Sequence, residues 1–394
     1  MALESCGLDL RRTHPDRRQG FRDAPGLSLL HRRKPDDGLS RDDGRPPKGT
    51  PPRPRDRPAA SISTATRPLV IDILGSMNSV TSPELDRLIP KLARDEAELE
   101  KIRTEVSELK TLHSILVGDS QDLSAIRDES VHLVLTSPPY WNLKEYNAHA
   151  QQLGHIGDYE EFLNKLDEVW RGCYDKLVVG GRMIVVVGDV MLSRRNNGVH
   201  KVVPLHADIQ VRCEKIGFDN LAPIFWHKIS NASFEVKGNS KFLGKPYEPN
   251  GVIKHDIEYI LMLRKSGGYR KPEVEQRRLS IISEKEFNKW YQQIWTLGGA
   301  STRNGHPAPY PEKLMNRLIR MFSFVGDTIL DPFLGSGTTM LAAAKIGRNS
   351  IGVEIDDVYA EMAKKRIENE FGLFLNDKVH LTVGRIPNEQ TAAA

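Results

Sequence analysis

A strand, a glycine-rich turn, a helix and a second strand follow one another near the carboxyl end of the chain, in GDTILDPFLGSGTTMLAAAKIGRNSIGVEID at residues 326–356. The first strand ends at Asp331 and the second at Glu354, 23 residues later. This order and offset are typical of nucleotide-binding βαβ units, in which the second acid meets ribose hydroxyls. Glycines in the turn let backbone N–H groups and the helix N-terminus approach a polar ligand.

The late position of this unit constrains the whole fold. Only 63 residues follow Asp331, too few to complete a doubly wound sheet after its first nucleotide-binding turn. The remaining strands must precede it, so we expect a circularly permuted Rossmann-like α/β domain. The turn lacks the third glycine of a dinucleotide fingerprint and the lysine of a phosphate-binding loop, which disfavours NAD and ATP.

Strand and helix patterns alternate from about residue 114 onward, which predicts a mainly parallel sheet covered by helices. The predicted strands are SILVGDS, VHLVLTS, GRMIVVVGDV, GDTILD and NSIGVEI, with helices near 158–177, 204–216, 311–324, 337–346 and 357–370. Between Trp226 and Gln293 this alternation gives way to polar, basic sequence with one clear strand, EYILMLRK.

One predicted strand, VHLVL at 131–135, runs directly into TSPPYW at 136–141. Two prolines cannot donate backbone hydrogen bonds, so the strand must end there. In a permuted sheet this end lies at the same carboxyl edge as Asp331, where α/β proteins bind ligands. The turn would present a hydroxyl, a carbonyl and an aromatic ring, which suit a planar heterocycle with an exocyclic amino group.

With these residues the chain resembles the amino-group DNA methyltransferases of the permuted, so-called beta class. The resemblance covers roughly residues 114–370 and rests on motifs that occur in the order of that class. They are VGDS at 117–120, TSPPYW at 136–141, WHK at 226–228, HPAPYPEKL at 306–314 and DPFLGSGTT at 331–339. The resemblance implies a mainly parallel seven-stranded sheet of the S-adenosylmethionine-dependent methyltransferase fold, with an inserted target-recognition region.

The same resemblance implies methyl transfer from S-adenosyl-L-methionine to an exocyclic amino group of a base flipped out of double-stranded DNA. Ser137 and the Pro138 carbonyl would accept the amino hydrogens, Pro139 would stiffen the turn, and Tyr140 would stack on the base. Serine in the first position of the [D/N/S]PPY motif favours N4 of cytosine. N6 of adenine remains an alternative, and a non-catalytic relative that binds DNA and cofactor is less favoured.

Cofactor-binding residues are also implied by the resemblance. They are Asp119, Asp331, Phe333, Gly335, Ser336, Gly337, Thr338, Glu354 and Pro307. Glu354 would bind the ribose, Asp331 and the glycine turn would surround the methionine moiety, and Asp119 would lie near the adenine edge. A helix N-cap is the alternative role for Asp119. No cysteine follows a proline, which excludes the usual base-carbon methylation, and no metal-binding pattern is evident.

DNA contacts are expected from residues 226–293, which carry 13 Lys and Arg against 8 Asp and Glu, whereas the whole chain has a net charge of only +4. The candidates are Lys237, Lys241, Lys245, Arg270, Lys271, Arg277 and Arg278. Phosphate contacts through such side chains would weaken steeply with salt. A solvated variable surface is the alternative interpretation.

The predicted organisation has six parts. Residues 1–76 form a disordered Arg/Pro-rich tail or a non-native start, 77–113 a long amphipathic helix, 114–225 the catalytic half, 226–300 the target-recognition region, 301–376 the cofactor-binding half, and 377–394 a C-terminal segment. The helix would either dimerise or pack on its own domain. A cognate restriction endonuclease is a further candidate partner. The absence of a long apolar run predicts a cytoplasmic protein that associates with DNA and not with membranes.

Overall fold

The structure of the protein is a computed structural model that describes residues 81–141, 152–192, 198, 200–228, 244–246, 255–299, 310–375 and 377–386. The helices within these residues are α1 (Ser82–Leu92), α2 (Glu96–Ser107), α3 (Tyr159–Lys176), α4 (Leu205–Ile216), α5 (Val274–Leu279), α6 (Glu284–Trp290), α7 (Glu312–Phe322), α8 (Thr338–Lys345) and α9 (Asp357–Phe371). The strands are β1 (Thr111–Val117), β2 (Val131–Thr136), β3 (Leu177–Val187), β4 (Val190–Leu192), β5 (Lys201–Val203), β6 (Phe218–His227), β7 (Ile257–Lys265), β8 (Ile294–Thr296), β9 (Thr328–Asp331), β10 (Asn349–Glu354) and β11 (Val379–Arg385).

One sheet organises the described residues, in the strand order β11-β1-β10-β9-β2-β3-β7-β6-β8. Its pairs are parallel except where β7 meets β3 and β6. The predicted mainly parallel α/β sheet is therefore confirmed. It has nine strands and not seven, because β11 extends one edge beside β1 and β8 extends the other beside β6.

The predicted circular permutation is visible in this order. Strands β9 and β10 come late in the chain, yet they lie between β1 and β2 in the sheet. Val117 pairs with Glu354 at the end of β1 and β10, and Val134 of β2 pairs with Leu330 of β9. Four parallel strands therefore bring their carboxyl ends to one edge, which is where α/β proteins bind ligands.

Helices cover both faces of the sheet, so its central strands are apolar on both sides. Phe162 and Trp170 of α3 pack in the cluster on one face, and Leu314 and Leu318 of α7 pack in the cluster on the other. Each of these four side chains is at most 1% exposed. Among the described residues, no helix is both long and apolar enough to cross a membrane.

The predicted long helix over 77–113 is wrong in its described part, which forms α1 and α2. Asp95 breaks the helix because its side chain accepts hydrogen bonds from Ala97 N and Glu98 N, 3.1 Å each, and so caps α2. The apolar faces pack on the same chain, where Leu99 and Ile102 join a cluster with Leu279, Ile281 and Val325. Of the two roles weighed for this segment, packing on its own domain is the one observed.

The predicted target-recognition region, 226–300, is only partly a separate insertion. The strand expected at EYILMLRK is present as β7, and it lies inside the main sheet between β3 and β6. The helices α5 and α6 and the strand β8 also belong to the packed domain. The stretches 229–243 and 247–254 lie outside the described residues.

Candidate active site at the carboxyl edge of the sheet

Two neighbouring strand ends are joined by a hydrogen bond at the carboxyl edge. Thr136 ends β2 and donates through Oγ1 to Oδ1 of Asp331, which ends β9, at 2.6 Å. The Asp331 carboxylate, 3% exposed, also accepts from the backbone N–H of Phe333 at 3.1 Å. Burial raises the pKa of Asp331, although hydrogen bonds from Thr136, Thr339 and Phe333 lower it in part.

The glycine-rich turn after Asp331 has the backbone shape that requires glycine. Gly335 and Gly337 have φ of +52° and +77°, in the left-handed region. A Cβ atom on Gly337 would lie 2.8 Å from Cβ of Ala363, so a side chain there would also clash with α9. Gly337 precedes Thr338, the first residue of α8, so the turn directs backbone N–H groups toward the edge.

Glu354 closes this turn from the adjacent strand. Its Oε2 accepts from Gly335 N at 2.7 Å, and its Oε1 accepts from Asp356 N at 3.0 Å. Burial raises the pKa of Glu354 to about 7, against the lowering effect of these two N–H groups. The carboxylate thus lies beside the turn, as predicted for a ribose-binding acid.

Arg366 of α9 contacts the turn from behind. Its Nη1 donates to the carbonyl of Ser336 at 3.3 Å and to Oγ1 of Thr338 at 2.8 Å. Phe333, on the other side of the turn, meets Trp170 edge-on with ring centroids 6.1 Å apart. The turn is therefore fixed by a cation on one side and by the core on the other.

Asp119 lies two residues beyond β1, next to the end of β10, since Gly118 N donates to the Glu354 carbonyl at 2.9 Å. Its carboxylate accepts from Gln121 N at 2.9 Å and from Gln121 Nε2 at 2.7 Å. These hydrogen bonds to the residue two positions later form a local turn, which resembles the N-cap role considered as the alternative for Asp119. Asp119 nevertheless lies at the carboxyl edge, where it was predicted.

The SPPYW stretch leaves the end of β2 at the same edge. Pro138 is buried, whereas Ser137, Pro139 and Tyr140 are half-buried. Trp141 has a φ of +46°, which is strained for a bulky residue. Its indole Nε1 donates to the Ile156 carbonyl at 2.9 Å, and its ring lies 5.0 Å from that of Tyr159, so the packed core holds this conformation.

Glu258 at the start of β7 approaches the same stretch. A Cβ atom on Gly188 would lie 3.2 Å from Cε2 of Tyr140 and 3.4 Å from Cγ of Glu258, so both side chains contact one backbone position after β3. Oε1 of Glu258 accepts from Nζ of Lys228, just beyond the end of β6. Lys228 also lies 4.7 Å from the centre of the Trp226 ring.

Comparison with known proteins identifies the family of this chain. A family model described as DNA methylase, for N6 and N4 methyltransferases, matches residues 131–365, which include both the SPPYW stretch and the glycine turn. The chain belongs to this family. The predicted membership in the amino-group DNA methyltransferases is confirmed, and so is the predicted cofactor, because the family depends on S-adenosyl-L-methionine.

Individual relatives of this methyltransferase cover the same part of the chain. The type II methyltransferase M.MjaI of Methanocaldococcus jannaschii is 39% identical over 68% of this chain and 93% of its own length. M.MthZI of Methanothermobacter thermautotrophicus is 34% identical over 67% and 79%. The crystal structure of a putative DNA modification methylase from Thermus thermophilus, complexed with S-adenosyl-L-methionine, is 48% identical over 68% of this chain and 99% of that one, with a TM-score of 0.54.

The residues at the edge of this methyltransferase fit a nucleoside cofactor. A buried carboxylate next to a ligand-facing turn can accept both hydroxyls of a ribose, and Glu354 occupies that position. The turn admits no side chain at Gly337, so its backbone packs directly on Ala363 of α9. Of the predicted cofactor residues, Pro307 lies outside the described residues, and the rest gather at this edge.

The predicted DNA-binding arginines lie elsewhere in this methyltransferase. Arg270 forms a two-pronged ion pair with Asp327, both bonds 2.6 Å, just before β9 and thus at the opposite edge of the sheet. Arg277 donates to Ser82 and Asp86 of α1, and Arg278 pairs with Glu105 and Glu275. Their predicted contact with DNA finds no support in these positions, because Arg270 is paired with Asp327 and the other two side chains hold α1 and α2 in place.

Two of the four lysines predicted to bind DNA lie within the described residues. Lys245 and Lys271 are exposed, whereas Lys237 and Lys241 lie outside the described residues. Four side chains at the site were given no individual role from the sequence, although two of them lie in the quoted motifs TSPPYW and WHK: Thr136, Lys228, Glu258 and Arg366. Glu258 could have been noticed because it is a charged residue at the start of the apolar strand EYILMLRK. Carboxylates are seldom buried unless they are paired, so such a residue deserves a search for its partner.

Proposed function

We propose that this methyltransferase transfers a methyl group from S-adenosyl-L-methionine to the N4 amino group of cytosine in double-stranded DNA, at a specific sequence. One observation carries the proposal. The Ser137-Pro138-Pro139-Tyr140 turn directly follows Thr136, whose hydroxyl is bonded to Asp331 at the start of the cofactor turn. The groups that would hold the amino nitrogen and those that would hold the methyl donor are therefore neighbours.

The turn suits an amino group as a nucleophile. An amino nitrogen on a base is a poor nucleophile because its lone pair is delocalised into the ring. Ser137 Oγ and the Pro138 carbonyl are acceptors that would hold its two hydrogens and turn the lone pair toward the methyl group. Tyr140 would stack on the base, which must leave the duplex to reach this edge.

The cofactor residues of this chain would then position the donor. S-Adenosyl-L-methionine supplies an electrophilic methyl group on a sulfonium centre. Glu354 would hold the ribose, and the Gly335–Gly337 turn with Asp331 would surround the methionine part. Asp119 would face the adenine edge, and Pro307 would close the methionine end. Fixing both reactants replaces a bimolecular encounter by a positioned transfer, which is where most of the rate gain would arise.

Serine at the first position of the motif supports cytosine over adenine through the family pattern. The biological role that we propose is protection of DNA in a restriction–modification system, in keeping with the type II names of the relatives. A cognate endonuclease would be the functional partner. Exposed Lys245 and Lys271, with Lys237 and Lys241, remain the proposed phosphate contacts.

Mass spectrometry of nucleosides tests the base assignment. Methylation-free DNA of mixed sequence is incubated with the protein and S-adenosyl-L-methionine, then digested. N4-Methylcytosine is the expected product. N6-Methyladenine would overturn the use of Ser137 as a base discriminator and leave the fold and mechanism intact. No methylated base of either kind, with cofactor binding preserved, would contradict the proposal.

A further inference from the structure

A carboxylate oxygen beside the proposed base site has no partner. Glu258 is 9% exposed, and its Oε2 finds no hydrogen-bond donor among the residues that the structure describes. The other oxygen, Oε1, accepts from Lys228. Buried polar atoms are nearly always hydrogen-bonded in folded proteins, and an unmet one destabilises the fold. An acceptor kept at such a cost next to a catalytic turn points to a ligand that supplies the missing proton donor.

The position of Glu258 makes the base the natural donor. Its Cγ and Cε2 of Tyr140 lie 3.4 Å and 3.2 Å from the point where a Cβ atom on Gly188 would stand. Tyr140 is the residue that would stack on the flipped base. Glu258 therefore lies beside that ring at the carboxyl edge, since Val187 at the end of β3 pairs with Tyr259.

The reaction needs a proton acceptor that the turn itself does not supply. The amino nitrogen forms its bond to the methyl carbon while the carbon–sulfur bond breaks, with the electron pair staying on sulfur. The nitrogen is then positively charged until it loses one N–H proton. A serine hydroxyl and an amide carbonyl accept hydrogen bonds but are too weakly basic to keep that proton, whereas a carboxylate can take it.

We propose that Glu258 is the proton acceptor of this methyltransferase, with Lys228 as the residue that positions its carboxylate. The inference rests on the proposed function and holds for either cytosine or adenine, since both lose one amino proton. Oε2 takes the proton from the methylated amino group, the base becomes neutral, and Glu258 releases the proton to solvent after the product leaves. Lys228 keeps Oε1 bonded throughout, so Oε2 is the oxygen that faces the base.

Other titratable groups around Glu258 are already engaged. Asp189, next to Gly188, accepts from His206 Nδ1 at 2.6 Å. His227 of β6 lies 3.4 Å from Asp256, which precedes β7. Lys228 is the cation nearest to Glu258 among the described residues, and Tyr140 is the phenol beside it. The effect of Glu258 on the rate can therefore be separated from these pairs by substituting Glu258 alone.

Single-turnover kinetics across pH 5.5 to 9 test the inference with Glu258→Gln, which keeps the size and one acceptor but cannot hold a proton. Loss of a general base predicts a rate constant lower by roughly 10²–10⁴-fold, with dissociation constants for DNA and cofactor within about threefold of wild type. Formate should partly restore Glu258→Ala.

A matched control is Glu286→Gln, which removes a half-buried carboxylate paired with Arg320 on α7, away from the edge. Its rate constant should stay within about threefold of wild type. The inference is overturned if Glu258→Gln turns over at the control's rate. It is also overturned if that variant loses cofactor or DNA binding, because the side chain would then serve the folding of the site. An inactive wild type would instead overturn the proposed function and this inference with it.

Discussion

Thr136 and Asp331, 195 residues apart in sequence, are joined by a hydrogen bond of 2.6 Å at the ends of neighbouring parallel strands. Thr136 immediately precedes the SPPY turn, and Asp331 immediately precedes the cofactor turn. Together with the pairing of β2 and β9, this bond holds the two turns of the candidate active site next to each other. Positioning at this precision matters because misplacing reactants by 1 Å can cost about 10²-fold in rate.

Replacement of Thr136 by Val should both destabilise the protein and slow methyl transfer. It leaves the Asp331 carboxylate, 3% exposed, without one of its donors, which costs about 1–3 kcal/mol of unfolding free energy. Urea unfolding measures this change. The control is Thr382→Val, whose hydroxyl bonds to Ser114 on the exposed edge of the sheet and should contribute about 0.5 kcal/mol or less. Equal losses in the two variants would contradict the role given to Thr136.

Cofactor affinity should depend on the protonation of Glu354. Its pKa of about 7 lies above the ordinary value of 4.5, so the carboxyl group is largely neutral below pH 7 and then has one acceptor fewer for a ribose. Affinity for S-adenosyl-L-methionine should therefore fall as the pH drops from 8 to 6. Calorimetric titration measures it, and in Glu354→Gln the affinity should be weak and insensitive to pH over this range. An equally steep fall in that variant would assign the effect to another group.

The raised pKa of Glu354 should make the stability of the cofactor-free protein change with pH in the opposite direction to the cofactor affinity. A carboxyl group whose folded pKa is raised contributes stability that is fully present below pH 4.5 and is lost as the pH rises through about 7. The loss amounts to a few kcal/mol at about 1.4 kcal/mol per pH unit. Saturating cofactor should reduce it, because binding selects the ionised form.

His113 should lower stability in acid, in opposition to Glu354. The ring is 1% exposed between Ser350 Oγ at 2.7 Å and Thr111 Oγ1 at 2.9 Å, and burial lowers its pKa from 6.5 to about 3. Only the imidazole of the unfolded chain binds a proton between these values, so the contribution of His113 to stability should fall below pH 6.5 by about 1.4 kcal/mol per unit. Above pH 4.5 the contribution of Glu354 changes in the opposite direction, so the effect of His113 is measured as the difference in unfolding free energy between wild type and His113→Asn, which should change by that amount per unit. His380→Asn, on the exposed part of β11, should behave as wild type.

Arg366 should strengthen cofactor binding indirectly, by holding the glycine-rich turn in place. Arg366→Met removes the hydrogen bonds to the Ser336 carbonyl and the Thr338 hydroxyl, so the turn loses its support from α9. We expect cofactor binding to weaken about tenfold, or about 1.4 kcal/mol, and DNA binding to stay unchanged. Lys365→Met, one residue earlier on the exposed face of the same helix, is the control. Parallel losses of cofactor and DNA binding would indicate general disruption instead.

Much of the fold was readable because the buried strands are continuous apolar runs and the motifs lie at their ends. VHLVLTS and GDTILD were each predicted to end at the carboxyl edge of the sheet, and both strands do. The predicted helices at 158–177, 204–216, 311–324, 337–346 and 357–370 correspond to α3, α4, α7, α8 and α9. The late position of Asp331 was sufficient to predict the permutation, since strand order follows from how much chain remains.

Ion pairs between residues far apart in the chain could not be predicted from the sequence. Arg270, Arg277 and Arg278 form a basic run in sequence, but their partners Asp327, Asp86 and Glu105 lie 57, 191 and 173 residues away. A local charge count cannot show whether a cation is already paired. Glu258 and Lys228 were missed for the same reason, since β6 and β7 bring them together across the sheet.

The break between α1 and α2 was missed because apolar residues keep a helical spacing through it. Asp95 is a favoured N-cap type, but it acts as one only when the chain turns there to place Leu99 and Ile102 on the core. The cap and the packing stabilise each other. Neither can be predicted from the spacing of apolar residues along this one segment.

The decisive experiment measures DNA methylation and cofactor binding by Ser137→Ala on the same sample. We expect wild type to form N4-methylcytosine, and the variant to bind S-adenosyl-L-methionine normally but to form at least about 10²-fold less product. If Ser137→Ala forms product at the wild-type rate, the amino group is held by some other part of the protein and the proposed role of the SPPY turn is wrong.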